Sequence, residues 1–268
     1  MKRFSILGAG NLGTYLAHAL VDSGFALTGI YKKSKFNQFP QHVTNDAVAM
    51  TAQSDFIVIA AQESKIEEAA KMMAETTNPK GKIFFHTCNG MTSQQLKSLK
   101  DEGAFTASFS PLQTFPAFPV SGAGKSGKSD ISGVFDDVCF LAEGDPEALV
   151  LAKEIAAALN AVVRYVESEK KIFYHIAGVA ASNFLISILK LAERQLNNAK
   201  MPGETVSIKD LLPLVRQTLN NVEARGVEAS LTGPFKRKEM GIIAKHLEKL
   251  DNPDDKVLYN ALTHYLSL

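Results

Sequence analysis

The chain has 268 residues, 46% hydrophobic and 21% charged, which excludes a disordered or collagen-like protein and leaves room for one large domain or two ordinary ones. Its 29 Lys and Arg nearly cancel its 28 Asp and Glu, so broad electrostatic capture of nucleic acid or of an anionic membrane is excluded, while a local basic pocket is not. Cys88 and Cys139 lie far apart without CxxC or metal-ligand spacing, so they read as buried or half-buried thiols of a reducing compartment, and no metal is expected. The basic pair Lys2–Arg3 precedes an apolar run that Gly8, Gly10, Asn11 and Gly13 break at once, too short for a signal peptide. No stretch is read as approaching the length of a membrane span, and the expected compartment is the cytoplasm.

In chain order, Phe4–Leu7 reads as a strand, Leu12–Ser23 as a helix, Phe25–Tyr31 as a second strand and Val43–Thr44 as a short third. Asp46 can cap a short helix to Thr51. Asp55–Ala61 (DFIVIAA) is a fourth strand, dense enough in Ile and Val to be buried on both faces. A helix over Ser64–Thr76, a strand over Lys82–His86, a helix over Ser93–Lys100 and strands over Ala104–Phe109 and Asp137–Ala142 follow. Ser121–Ser132, rich in Gly, Ser and Lys, reads as a loop. Pro146–Leu159 is a helix and Val162–Val166 a last strand.

From about Ser168 no further strand is predicted. Ile172, Ile176, Val179, Phe184, Ile188 and Leu191 mark a long helix over Ser168–Ala199, followed by helices over Ile208–Arg225, Phe235–Leu250 and Pro253–Leu268. The expected fold is α/β: a Rossmann-type, doubly wound, mostly parallel sheet over residues 1–166, then an all-helical domain over residues 167–268.

Gly8-Ala9-Gly10-Asn11-Leu12-Gly13 is a GxGxxG turn, specific here because it follows an apolar strand and opens a helix. Gly8 permits the tight turn, Gly10 lets the backbone approach a pyrophosphate, and Gly13 lets the helix pack closely on the strand. The free N–H groups of that helix offset phosphate charge. The second strand ends in Tyr31-Lys32-Lys33-Ser34, and no acidic residue lies between Asp22 and Asp46. The carboxylate that would bind the ribose hydroxyls of NAD is therefore missing, and two ammonium groups and a hydroxyl are on hand for a 2′-phosphate. NADP is the expected cofactor, ahead of NAD, although Lys32 and Lys33 also suit a plain solvated surface. Gly122–Ser129 fits GxxxxGK[ST], but no buried strand precedes it and Asp130-Ile131-Ser132-Gly133 starts a helix poorly, so it reads as a basic loop and not a P-loop.

Three further segments occur alongside this fingerprint: Phe109-Ser110-Pro111-Leu112-Gln113-Thr114-Phe115; Lys171-x-x-Tyr174-His175-x-Ala177 with Asn183; and Leu231-Thr232-Gly233-Pro234 with Arg237. With them the chain resembles, nearly end to end, a family of Rossmann oxidoreductase-like proteins related to pyrroline-5-carboxylate reductases and deazaflavin-dependent NADP oxidoreductases. The resemblance implies an NADP-type Rossmann domain and a helical domain that often mediates dimerisation, hence a homodimer. It implies no particular substrate. Many members carry His before Pro-Leu-Gln where this chain has Ser110, which puts an acid/base role there in doubt.

Hydride transfer needs a group that supplies or removes a proton beside the nicotinamide. Lys171, His175, Val179 and Asn183, spaced by four, form one helical stripe. By analogy with related hydroxyacid dehydrogenases, His175 is the expected general acid/base, Lys171 polarises the substrate oxygen and Asn183 orients it. A solvated Lys171 and a core His175 are the plainer alternative. His86 and Thr87 after the fifth strand, and Ala61 and Gln62 after the fourth, are placed by position against the cofactor. Gln113 and Thr232 are candidate substrate contacts, although the turn at Thr232 also reads as a simple helix break. The sequence therefore points to an NADP-dependent oxidoreductase acting on a small carbonyl or imine compound, the alternative being a non-catalytic dinucleotide sensor or assembly module.

Overall fold

The computed structural model describes residues 1–31, 38–118 and 133–267. Lys32, Lys33, Ser34 and the whole Gly122–Ser129 stretch, and with them the expected 2′-phosphate contacts, lie outside these described residues. The strands β1 (Arg3–Leu7), β2 (Ala26–Tyr31), β3 (Val43–Thr44), β4 (Phe56–Ile59), β5 (Ile83–His86), β6 (Phe105–Pro111), β7 (Cys139–Gly144) and β8 (Val162–Tyr165) form one sheet in the order β3-β2-β1-β4-β5-β6-β7-β8. Pairing is parallel from β3 to β6; β7 runs antiparallel to β6, and β8 runs parallel to β7. The chain winds outward in opposite directions from β1 and β4. Their carboxyl ends are the switch point at which such sheets bind ligands.

Helices α1 (Asn11–Asp22), α2 (Ala47–Gln53), α3 (Ile66–Thr76), α4 (Lys97–Asp101) and α5 (Pro146–Ala158) accompany the sheet. Both of its faces are buried, as the apolar density of the fourth strand predicts. In β4, Phe56 and Val58 join one core cluster, and Ile57 and Ile59 the other. On the first face Phe4, Phe56, Phe85, Phe109 and Phe140 form a continuous row across five strands, with successive ring centroids 4.4–6.2 Å apart. Such pairs add about 0.5–1.5 kcal/mol each beyond their area burial.

The chain divides into two compact units, Met1–Ser182 and Asn183–Leu268, so they part at 182/183 and not at the 166/167 composition step. The first unit ends with α6 (Lys171–Val179); a π-helical turn, Ala180–Phe184, then leads into α7 (Leu185–Ala199). The second unit also contains α8 (Leu212–Arg225), α9 (Gly233–Lys236), α10 (Met240–Lys249) and α11 (Pro253–Leu266). The single helix expected over Phe235–Leu250 is split, because Lys238 takes a left-handed φ of 56° between α9 and α10. The expectation that no stretch reaches membrane-span length is also corrected: the helical run Ser168–Ala199 is long and apolar enough by length and composition. Lys171, near the start of that run, is nevertheless buried within the first unit.

Candidate functional site

The glycine turn is shaped by β1 and β4. Gly8 takes φ +99°, and its N–H donates to the Tyr31 carbonyl at 3.1 Å. A Cβ on Gly8 would lie 2.6 Å from the Ala60 carbonyl oxygen, and one on Gly13 would lie 2.2 Å from the Gly8 oxygen. These two glycines are therefore demanded by the fold. Gly10 is different: a Cβ there would meet nothing within 4 Å. It is the N-cap of α1 and no side chain caps that end, so the first N–H groups of the helix are left for an anion.

A crevice of about 510 Å³ opens above the turn, lined among others by Gly8, Ala9, Gly10, Tyr31, Ala61 and Gln62. One crevice thus joins the turn, the end of the second strand and the segment after the fourth. Open backbone, an uncapped helix end and a crevice of this size fit a dinucleotide. Asn11 and Leu12 serve more locally. The Asn11 amide donates to the Phe115 carbonyl at 3.1 Å and holds the segment after β6 against the turn, and Leu12 packs on the core. Because Gly10 has open space in the folded chain, Gly10→Ala should leave urea-induced unfolding almost unchanged. The same variant should weaken NADPH binding about tenfold or more, measured by nicotinamide fluorescence.

His86 is corrected. It ends β5, but its side chain is fully buried under its own loop and does not line the crevice. Its Nε2 lies 2.9 Å from the Thr92 carbonyl and its Nδ1 accepts from the Cys88 N–H at 3.2 Å, so these partners assign the neutral Nε2–H tautomer. Burial, helped by the positive charge of Lys171, pulls its pKa down to about 4. Thr87 is buried as well. Asn89 ties the same loop to the end of β6, donating to the Pro111 carbonyl at 2.8 Å.

Lys171 is corrected too. It is 1% exposed, and its Nζ donates to the Cys88 carbonyl and the Ser108 hydroxyl, each at 2.5 Å, and to the Met91 carbonyl. With its three protons placed on three protein acceptors, it ties down the loop after β5 and has none to offer a substrate oxygen. Burial brings its pKa down to about 8, against the opposing pull of Glu143. Glu143, buried on β7, accepts from the Ser93 N–H at 2.5 Å, the Ser93 hydroxyl at 2.8 Å and the Ser168 hydroxyl at 2.9 Å. His86, Lys171 and Glu143 thus form a satisfied polar knot beneath the loop.

Above the knot, His175 is half-buried one turn further along α6. A Cβ on Gly90 would lie 3.5 Å from His175 Cδ2 and 3.3 Å from Glu63 Oε1. Glu63 follows Gln62 after β4, in a 3₁₀ turn that carries no motif, and sequence reasoning passed over it. Between Val179 and Asn183 of the predicted stripe the α geometry gives way to the π turn Ala180–Phe184. Gln113 turns its carbonyl oxygen onto its neighbour's N–H (Thr114, 2.8 Å), and Thr232 is exposed in the second unit, just before α9. Ser110 is fully buried on β6, away from any acid/base role in the crevice. Cys88 and Cys139 are free and half-buried, and burial pushes both thiols up, against a nucleophilic role. Among the described residues no group of three His, Cys, Asp or Glu could hold a metal ion.

Residues 2–111 match the Rossmann-like domain family, and residues 138–266 match DUF2520, a domain of unknown function. No curated protein matches the chain. Among solved structures, the BF3122 protein of Bacteroides fragilis is 23% identical with a TM-score of 0.78, the match covering 99% of this chain and 98% of that one. A reductive aminase from Aspergillus terreus, solved with NADPH and ethyl levulinate, is 15% identical with a TM-score of 0.64, covering 100% and 86%. The Plasmodium falciparum pyrroline carboxylate reductase with NADP bound is 12% identical with a TM-score of 0.63, covering 100% of both chains. The chain therefore joins a Rossmann-like domain to a DUF2520 region, on the fold that these two reductases share, in keeping with the resemblance to an NADP oxidoreductase-like family.

Proposed function

We propose that the chain is an NADP-dependent oxidoreductase that moves hydride to or from a small carbonyl or imine compound. The observation that carries this reading is the open backbone at Gly10, before an uncapped helix end, on the sheet edge where His175 stands over the loop after β5. NADP is favoured by Lys32 and Lys33, and by the nicotinamide cofactors held in the Aspergillus and Plasmodium reductases. When bound, the cofactor supplies the hydride. His175 holds or accepts the accompanying proton on its imidazole, and the knot around Lys171 keeps the loop below it in place. The protein would work in the cytoplasm. It would do so as a homodimer, because Phe173 and Phe184 on the long helical run are 67% and 60% exposed and suit burial against a second copy.

The test follows NADPH oxidation against a panel of cyclic imines and ketones. In His175→Ala, kcat/KM should fall about 100-fold, the lower range for a lost general acid or base, with NADPH affinity unchanged. Unchanged turnover would remove His175 from the mechanism. The burial of Ser110 favours a second reading, a dinucleotide sensor, which NADPH binding without turnover across the panel would support.

A further inference from the structure

Gly90 has no left-handed φ, so its backbone does not demand glycine. A bare Cα here instead lets two side chains come close to the backbone: a Cβ would be 3.3 Å from the Glu63 carboxylate oxygen, 3.7 Å from its carboxyl carbon and 3.5 Å from the His175 ring. The nearest cation along the chain, Lys65, is engaged with Glu68 at 2.7 Å, and Glu63 enters no ion pair among the described residues. Lys171 lies close enough to feel Glu63, but its Nζ is spent on the loop carbonyls and Ser108. A carboxylate and an imidazole thus approach one bare backbone position at the carboxyl ends of β4 and β5, with the carboxylate charge unpaired.

We propose that Glu63 and His175 are two walls of the substrate site and that the Glu63 carboxylate selects a substrate bearing a positively charged nitrogen, an amine or a protonated imine, over a neutral carbonyl compound. This rests on the oxidoreductase reading and deepens it by naming the substrate class. An exposed carboxylate is partly screened, so its preference is modest, about tenfold at low ionic strength. The same charge repels anionic ligands at that position and gives a neutral ligand no such attraction.

The experiment is an NMR titration of the full chain, with and without NADP⁺, using pyrrolidinium chloride and the neutral ring tetrahydrofuran as probes. The wild type should bind the cation about tenfold more tightly than the ether. Glu63→Gln should bring the two within about twofold, with an unchanged melting temperature and unchanged NADP⁺ affinity, while Glu63→Asp should keep part of the preference. Equal binding of both probes to the wild type, no binding of the cation, or a preference that survives Glu63→Gln would each overturn the proposal. So would a loss of NADP⁺ affinity in Glu63→Gln with selectivity intact, which would assign the carboxylate to the cofactor. Failure of the wild type to bind NADP⁺ sinks the cofactor reading instead, and the arm without NADP⁺ still decides the charge preference.

Discussion

Lys171→Met should lower the unfolding free energy by about 3 kcal/mol, at the lower end of what removing one partner from a buried charged network costs. The substitution keeps the volume of the stem but leaves the Cys88 and Met91 carbonyls and the Ser108 hydroxyl without their shared donor. Each unsatisfied buried acceptor costs about 1–3 kcal/mol, and relief from burying an ammonium group offsets part of the sum. Urea unfolding curves at pH 7 measure the loss. The pH dependence separates this role from plain packing. The folded protein holds the amine at about 8, below its ordinary value of 10.5. As pH rises from 8 towards 10.5, the folded chain releases a proton that the unfolded chain retains, so stability supplied through this group rises across that window. The gap between wild type and Lys171→Met should therefore widen from pH 8 to pH 10. A gap that stays flat would mean that the amine is not buried as a charge.

Acid should destabilise the protein through His86 by roughly 3 kcal/mol, the equivalent of 2.5 pKa units at 1.36 kcal/mol each. Burial holds this imidazole at about 4, against 6.5 for an ordinary histidine. Between those values the unfolded chain takes up a proton that the folded chain refuses, so the stability is complete above pH 6.5 and is lost as pH falls towards 4. Other groups contribute in the same sense, among them His18, whose pKa burial also lowers. The informative quantity is thus the difference from His86→Gln, whose amide offers a donor and an acceptor but cannot titrate. Unfolding midpoints at pH 7, 6, 5 and 4.5 should fall more steeply for the wild type than for the variant. Parallel slopes would show that His86 titrates freely and that the knot beneath the loop is loose.

The parts of this protein governed by local rules were legible in its sequence. Gly8 and Gly13 are needed by the turn's own geometry, and the strand–turn–helix context exposed them. Phe56 to Ile59 announced a strand buried on both faces by composition alone. The antiparallel direction of β7 was not legible, because a strand's residues fix its pairing propensity while the connection fixes its direction, and here 27 residues separate Pro111 from Cys139. His86 was misjudged for a related reason. Its place at a strand's carboxyl end suggested exposure to the crevice, but the loop folds back and takes both ring nitrogens. Lys171 looked like a substrate contact because charge on an apolar helix face suggests function; its acceptors come from residues about 80 positions earlier. Glu63 had no spacing to mark it. Only the fold brings it to Gly90.

The π turn has a genetic consequence. A π turn in an α-helix is equivalent to a one-residue insertion that the helix has absorbed without breaking. Deleting a single residue within Ala180–Phe184 would restore ordinary α geometry and leave the later positions of that helix in phase, whereas deleting one within Leu185–Ala199 would turn the positions beyond it by about 100° about the axis. The π turn is therefore the place on this helix where the loss of one codon in frame is best tolerated.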